Sequence, residues 1–533
     1  MPEEHRPAPT DLPLFAARPE ANRPAARALA GTTPPPGSTT PGNPFVPPAP
    51  PVPVPQPRSP EPVTRAGAAE PRVDWGTVTE LRAEVSERIR GILEPGAALD
   101  AAVHGQDAQR LIEDAVRSHN LRQLSLGRPA VGVAEQAGLA KAVFDAIFGF
   151  GRIEPLLAQP GLENIEIRGY DQVVCLFGDG RIEYGGPVAD SNDQLVREVQ
   201  LQAAHGRGGE RSFSATAPLL DLALPDGSRL SATGWVGPYP MVTIRKHGLV
   251  DIDLYDLVDL NSLDEVAAQF LEAAMLAGRS AVVSGLPAAG KTTFMRGLLN
   301  CLDPDVAIAT IETEFELLLH RMPERHRRVW PVEARAGGGE RDSRGDVIGE
   351  VTLRELVRHS LRQNVDRIVV GEVRGEEVLD MLDAMTAGQG SLSTIHATGV
   401  QETIERMVTC ALKAGAQVTT DYAYRQVATH IDLIVNLGVI DQTTRGGRKH
   451  RFLRAVSAVS LGDQQGTGLS LTSVFAPGPD GRAVPTGMLP DWIEELREFG
   501  FDPNLLTNRV SQYRAPLDLL PPAPVRYGRR RTA

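Results

Sequence analysis

The 533-residue sequence predicts an α/β protein with a largely parallel sheet, and three observations carry that expectation. Apolar strand-like runs alternate with helical stretches across residues 263–459, as they do where helices cover a parallel sheet. The glycine-bounded segment Gly285-Leu286-Pro287-Ala288-Ala289-Gly290-Lys291-Thr292 joins one of those runs to the helix after it. Upstream, residues 128–250 mix a helix, short strands and Asp-Gly turns, which reads as a small α/β domain.

The elements follow in order. Residues 1–72 hold about half of the 43 prolines, mixed with Ala, Gly, Ser and Thr. Such a stretch has little to bury and lacks backbone donors, so it reads as a disordered arm, with a polyproline II run at 47–55. Residues 73–127 read as helical. Leu81, Val85, Ile89 and Ile92 recur at helical spacing, and a second helix fits 106–119. In the α/β segment a helix fits 143–147, and strands fit 165–167, 172–177 and 241–244. Around Asp226-Gly227 the pattern is strand, turn, strand. Residues 251–460 form the expected nucleotide-binding domain, with strands at 281–284, 307–312 and 367–371 and helices at 263–277, 292–302 and 352–363. Residues 461–533 read as a C-terminal extension with a solvated basic tail.

Composition excludes several classes. The net charge of −12 argues against a general nucleic-acid or acidic-membrane binder, since both need a basic surface. Cys175, Cys301 and Cys410 show no ligand spacing, so neither a zinc site nor a disulfide framework is expected. The N-terminus lacks the pattern of a signal peptide, and no run reaches the ~20 apolar residues of a membrane span. A soluble, cytoplasmic protein is expected.

The chemistry begins at Gly285-x-x-x-x-Gly290-Lys291-Thr292, a P-loop pattern after a strand and opening a helix. Phosphates need convergent backbone N–H groups at a helix N-terminus, and glycine lets the backbone curl close to them. Lys291 supplies positive charge to the β and γ phosphates, and the Thr292 hydroxyl is a Mg²⁺ ligand. Lysine occurs only at 141, 246, 291, 413 and 449, so its presence at the motif position is informative. The middle of the loop, Pro287-Ala288-Ala289, carries no glycine.

Hydrolysis needs carboxylates near the phosphates. The strand at 367–371 delivers Glu372, a Walker B-like position. The strand at 307–312 delivers Glu312, followed by Glu314 and Glu316. Ligands gather at the carboxyl ends of strands in parallel sheets, which puts both sites on the nucleotide side. A short strand ends at His396, and Ser393, Thr394 and His396 are candidate γ-phosphate sensors.

Four ordered segments together resemble the Walker A, Asp-box, Walker B and His-box set of type II/type IV secretion ATPases. They are Gly285 to Thr293; Thr310-Ile-Glu312-Thr-Glu-Phe-Glu316; Leu361-Arg362 to Gly371-Glu372-Val-Arg374-Gly; and Gly390-Ser-Leu-Ser-Thr-Ile-His396. The Val-Gly-Glu-Val-Arg-Gly form resembles the CpaF/TadA branch, which serves Tad (Flp) pilus assembly. The resemblance spans about residues 148–505. It implies a RecA-like domain, a homohexameric ring binding ATP and Mg²⁺, and an inner-membrane platform protein as partner; the acidic balance and the lack of an aromatic–basic groove argue against direct nucleic-acid contact. It places the protein peripherally at the cytoplasmic membrane. By match, Glu316 is the catalytic carboxylate, Glu372 the Walker B carboxylate acting on Mg²⁺, and His396 the His-box residue. Arg229 and Arg245 match arginines that reach the nucleotide from the N-terminal domain.

The sequence departs from the pattern at three places. Thr313 replaces an Asp-box carboxylate, Ala387-Gly388-Gln389 stands where Thr-Gly-His is usual, and a glycine-rich insert occupies 335–345. Two further readings stay open here, a nucleotide-gated scaffold with little hydrolysis and a RecA-like motor linked to nucleic-acid transfer.

Overall fold

The computed structural model describes residues 73–92, 101–129, 131–205, 212–224, 226–246, 251–335, 337, 343, 345, 347–387, 390–462, 468–507 and 513–521. The proline-rich arm, most of the 335–345 insert, Gly388, Gln389 and the basic tail lie outside those residues.

Three helices come first: α1 (Trp75–Ile92), α2 (Ala101–Ser125) and α3 (Val133–Phe148). Each buries one apolar stripe at helical spacing, Val78, Leu81, Val85 and Ile89 on α1 against Ile112 and Val116 on α2 and Leu139 and Val143 on α3. These stripes make a separate small core. The expected boundary at 127/128 therefore cuts through it, because α3 packs with the helices before it. The second helix also runs well past the expected 106–119.

Next come α4 (Glu154–Leu157), β1 (Leu162–Arg168), β2 (Gln172–Phe177), β3 (Ile182–Gly185), α5 (Asn192–His205), β4 (Leu219–Ala223), β5 (Arg229–Thr233) and β6 (Met241–Arg245). The strands form one sheet in the order β3-β2-β1-β6-β5-β4, antiparallel throughout. Strict alternation on β4 to β6 turns Leu220, Leu222, Leu230, Ala232, Val242 and Ile244 into the core and puts Asp221, Arg229, Ser231, Thr233, Thr243 and Arg245 on the other face, with Leu219, Ala223 and Met241 among them. The Asp226-Gly227 turn joins β4 to β5. Gly227 has φ 91, which a side chain would resist, and Asp226 accepts the Ser228 N–H at 2.8 Å.

The second sheet follows α6 (Leu254–Asp259) and α7 (Glu265–Leu276). Its elements are β7 (Ala281–Gly285), α8 (Lys291–Leu299), β8 (Ile308–Glu312), β9 (Val329–Glu333), α9 (Leu353–Ser360), β10 (Arg367–Val370), α10 (Glu377–Ala387), β11 (Leu392–Ile395), α11 (Val400–Leu412), α12 (Thr420–His430), β12 (Leu433–Asp441), β13 (Lys449–Leu461), β14 (Leu469–Pro477) and β15 (Ala483–Pro485). The order is β15-β14-β13-β12-β7-β11-β10-β8-β9. From β12 to β9 neighbours run parallel, as expected from the alternation of strands and helices. β7 sits between β12 and β11 rather than beside its successor β8, and the fold is RecA-like. Every residue of β7, β8, β10 and β11 is buried, as in a parallel sheet covered on both faces, and the polar exceptions, Ser284, Thr310, Glu312, Arg367, Ser393 and Thr394, are buried with them.

The boundary expected at 460 is corrected. β13 continues to Leu461, and β14 and β15 extend the same sheet by antiparallel pairing. Phe475, Trp492 and Phe501 surround Phe270 of α7 with ring centroids 5.6–6.1 Å away, so this segment completes the domain's core. All three cysteines are free; Cys175 and Cys410 are buried and Cys301 half-buried. Among the described residues no helix is long and apolar enough to cross a membrane.

Candidate functional site: a phosphate loop between two sheets

Because β7, β8, β10 and β11 are parallel, their carboxyl ends lie on one edge. That edge receives the turn after Gly285, Glu312, Glu372 and His396. The loop closes through Gly290, whose φ of 88 lets the chain reverse into α8. Leu286, Pro287 and Ala288 are exposed, and Ala289 is buried against Gly285. Ala288 takes φ 62, a left-handed conformation that glycine adopts without strain and alanine does not.

Lys291 is 8% exposed. Its Nζ donates to the carbonyls of Gly285 (3.2 Å) and Leu286 (3.4 Å) and lies 2.9 Å from His396 Nδ1. Burial pulls its pKa down to about 8, against the pull of Glu372 and Glu316 in the other direction. Burial and then the lysine's charge hold His396 below the usual imidazole range. A lysine donating to Nδ1 places the imidazole proton on Nε2, which lies 2.6 Å from Glu372 Oε1. Arg374 grips the other Glu372 oxygen through Nε at 2.9 Å and Nη2 at 2.5 Å.

On the opposite side, Thr292 Oγ1 donates to Glu316 Oε2 at 2.7 Å. Arg229 arrives from the six-stranded sheet, with Nη1 2.7 Å from Glu316 Oε1 and Nε 2.8 Å from Glu314 Oε2. Arg245 is exposed and stands directly opposite Arg229 in the β5–β6 register. It makes no ion pair among the described residues, yet its charge reaches Lys291. Two arginines facing each other across strands repel, and Arg229 is neutralised by Glu314 and Glu316. Thr293 is half-buried one residue along α8. Thr394 spends its hydroxyl on the Gly371 carbonyl (2.6 Å), and Ser393 is buried. Of the three candidate sensors, His396 alone joins the lysine and the carboxylate.

Sequence reasoning missed the part played by Glu312. It is 2% exposed, and its Oε2 accepts the N–H groups of Glu316 (2.8 Å) and Leu317 (2.9 Å), fixing the segment that carries Glu316. Arg296 supports the same segment, donating to the Leu317 carbonyl at 3.0 Å and to that of Glu316. Thr313, the departure noted above, is exposed. Burial raises Glu312 from 4.5 to about 7. A raised acid pKa means the folded state keeps a proton the unfolded chain releases, so its contribution to stability is complete below about 4.5 and is lost as pH rises through 7. Glu312→Ala, which orphans two N–H groups, is expected to cost about 2–4 kcal/mol, and Glu312→Gln less than about 1 kcal/mol. In urea melts, Glu312→Gln gains on wild type as pH rises from 4.5 to 7; a flat difference across that range contradicts this reading.

Lys291 gives a second pH dependence of opposite sign. Its folded pKa is depressed from 10.5 to about 8, so its contribution to stability is present above 10.5 and lost as pH falls through 8. A bound phosphate favours the charged amine, so nucleotide binding near pH 8 is expected to take up protons and to weaken at higher pH. Calorimetry in buffers of different ionisation enthalpy reads this directly. Equal heats in every buffer would refute it.

Fold and site together define a RecA-like P-loop ATPase. Residues 229–467 match the family model described as "Type II/IV secretion system protein". The "Putative conjugal transfer protein Rv3659c" of Mycobacterium tuberculosis (strain ATCC 25618 / H37Rv) is 29% identical over 320 residues, covering 56% of this chain and 82% of that protein. The "Type IV secretion system protein VirB11" of Brucella suis biovar 1 (strain 1330) is 26% identical over 347 residues, covering 59% of this chain and 91% of that one. Over residues 229–467 the chain is therefore similar to type II/IV secretion system proteins. Among solved structures, the VirB11 ATPase from the Brucella suis type IV secretion system, in complex with sulphate, covers 57% of this chain and 92% of that chain at 24% identity, with a TM-score of 0.29.

Proposed function

We propose that this chain is a Mg²⁺-dependent, ATP-hydrolysing motor that powers pilus assembly or protein secretion, working as a homohexamer on an inner-membrane platform protein from the cytoplasmic side. One observation carries the reading. Residues from four separate strand ends and from a second sheet meet in one network, in which Thr292 and Arg229 hold the two oxygens of Glu316.

The chemistry follows from that placement. Lys291 and the N-terminus of α8 hold the β and γ phosphates. Glu316 accepts a proton from water as its oxygen bonds to the γ-phosphorus and the bond to the ADP oxygen breaks. An incoming phosphate competes for Arg229 and so releases Glu316 for that task. Arg229 and Arg245 then neutralise charge that builds on the γ-phosphoryl oxygens.

For Mg²⁺, the fit is good. Among the described residues no cluster of three acidic, His or Cys side chains makes a cage of its own, which suits an ion that binds through one or two protein oxygens plus phosphates. The Thr292 hydroxyl and the Glu372 carboxylate would hold it, and buried Glu372 Oε1 has no hydrogen-bond partner of good geometry. When bound, the ion supplies charge neutralisation across the β and γ phosphates.

The CpaF/TadA-like branch is supported by the Val370-Gly-Glu372-Val-Arg374-Gly segment. The scaffold reading draws on Thr313. Light scattering of the full-length protein at several concentrations, with and without Mg-ATP, tests the ring. Six-fold assembly is expected; a monomer at every concentration with no turnover would end the motor reading. Salt-sensitive DNA binding with DNA-stimulated turnover would favour nucleic-acid transfer instead.

A further inference from the structure

The loop strained at Ala288 is held from outside. Arg451 of β13 donates its Nε to the Ala288 carbonyl at 2.9 Å. Its alkyl stem runs beside Gly290, where an added Cβ would sit 3.6 Å from Arg451 Cδ. The same guanidinium places Nη2 2.8 Å from both oxygens of Glu163. Glu163 belongs to β1 of the six-stranded sheet. Its own carbonyl accepts the Lys246 N–H at 2.8 Å, immediately beyond Arg245. One planar side chain thus bridges a phosphate-loop peptide and the strand pair that carries Arg245, and a guanidinium can do both because its donors form a rigid fork.

A second contact sets the bridge in place. The turn between β12 and β13 packs on the β2–β3 turn so closely that any side chain at Gly180 would collide with Thr443. The β12–β13 hairpin therefore touches the six-stranded sheet at its turn and, through Arg451, two residues into β13.

We propose that Arg451 is a positioning residue for the phosphate loop: it holds the Ala288 peptide in its left-handed turn while Glu163 holds Arg451, so nucleotide affinity depends on where the six-stranded sheet stands. Glu163 itself touches nothing in the loop. A carboxylate on another sheet, distant in sequence, nevertheless sets the loop's shape. The inference rests on nucleotide occupying this loop.

The test uses the full chain and a fluorescent ADP analogue, with Glu163→Gln, Arg451→Ala, their double variant, and Arg451→Ala combined with Ala288→Gly. Thermal melts confirm folding, and the near-isosteric Glu163→Gln keeps the test open if Arg451→Ala fails to fold. Arg451→Ala is expected to weaken binding about tenfold and Glu163→Gln about threefold, with the double variant no weaker than Arg451→Ala alone. Ala288→Gly restores most of the loss, because glycine takes a positive φ without help. In the nucleotide-free protein, hydrogen exchange at residues 286–290 rises in Glu163→Gln and Arg451→Ala. That readout separates failure of the bridge from failure of the ATPase reading, which would appear as no binding by wild type. Unchanged affinity and exchange in Glu163→Gln, or losses that multiply in the double variant, would overturn the proposal.

Discussion

Glu316→Gln is expected to lower kcat for ATP hydrolysis by about 10²–10⁴-fold, the usual worth of a positioned base. Nucleotide affinity stays level or tightens. The amide keeps an oxygen for the Thr292 hydroxyl and has nearly the same size, so the loop geometry survives. What is lost is the proton acceptor and the charge that occupies Arg229. With that charge gone, Arg229 is free for phosphate, and a carboxylate that repels the nucleotide is removed. Equal losses of affinity and turnover would show instead that Glu316 only braces Thr292. Isothermal titration beside steady-state phosphate release separates the two.

Lys291→Ala is expected to reduce ATP and ADP affinity by about 10²-fold or more, since truncating one member of a desolvated charge pair costs about 2–5 kcal/mol. Stability without nucleotide moves the other way. Lys291 is buried, its pKa is held down to about 8 by that burial, and its Nζ leans on two carbonyls and His396. Removing it relieves a desolvation cost at pH 7, so the melting temperature of the ligand-free variant holds or rises. A site that binds more weakly as the fold becomes more stable is the signature of a residue kept for its ligand. A variant that both unfolds early and loses affinity would place Lys291 among structural residues.

The sequence made local features legible and left long-range pairings hidden. The phosphate loop, the strand ends at Glu312 and Glu372, and the Asp226-Gly227 turn each depend on a few consecutive residues, and the structure places them where they were expected. That Arg229 faces Arg245 depends on the register of β5 against β6, which only packing of their alternate residues sets. Arg451 and Glu163 meet across 288 positions of sequence, and no local pattern marks either. The boundary placed at 460 failed because a strand added antiparallel to a sheet edge looks, in sequence, like any other. Phe475 and Phe501 reveal their role only through Phe270. Glu312 read as one of three similar carboxylates; burial and two backbone donors set it apart.

Thr313 leaves hydrolysis as the claim to test, because binding is supported by the loop alone. The measurement is phosphate release by the full-length wild-type protein across a range of protein concentrations, with Mg²⁺ and with chelator, beside Lys291→Ala and Glu316→Gln. Turnover by wild type that requires Mg²⁺, rises per chain as the protein assembles, and falls to background in both variants is the expected result. An identical, negligible rate in all three proteins, with wild type still binding nucleotide, would contradict the motor and leave a nucleotide-gated scaffold.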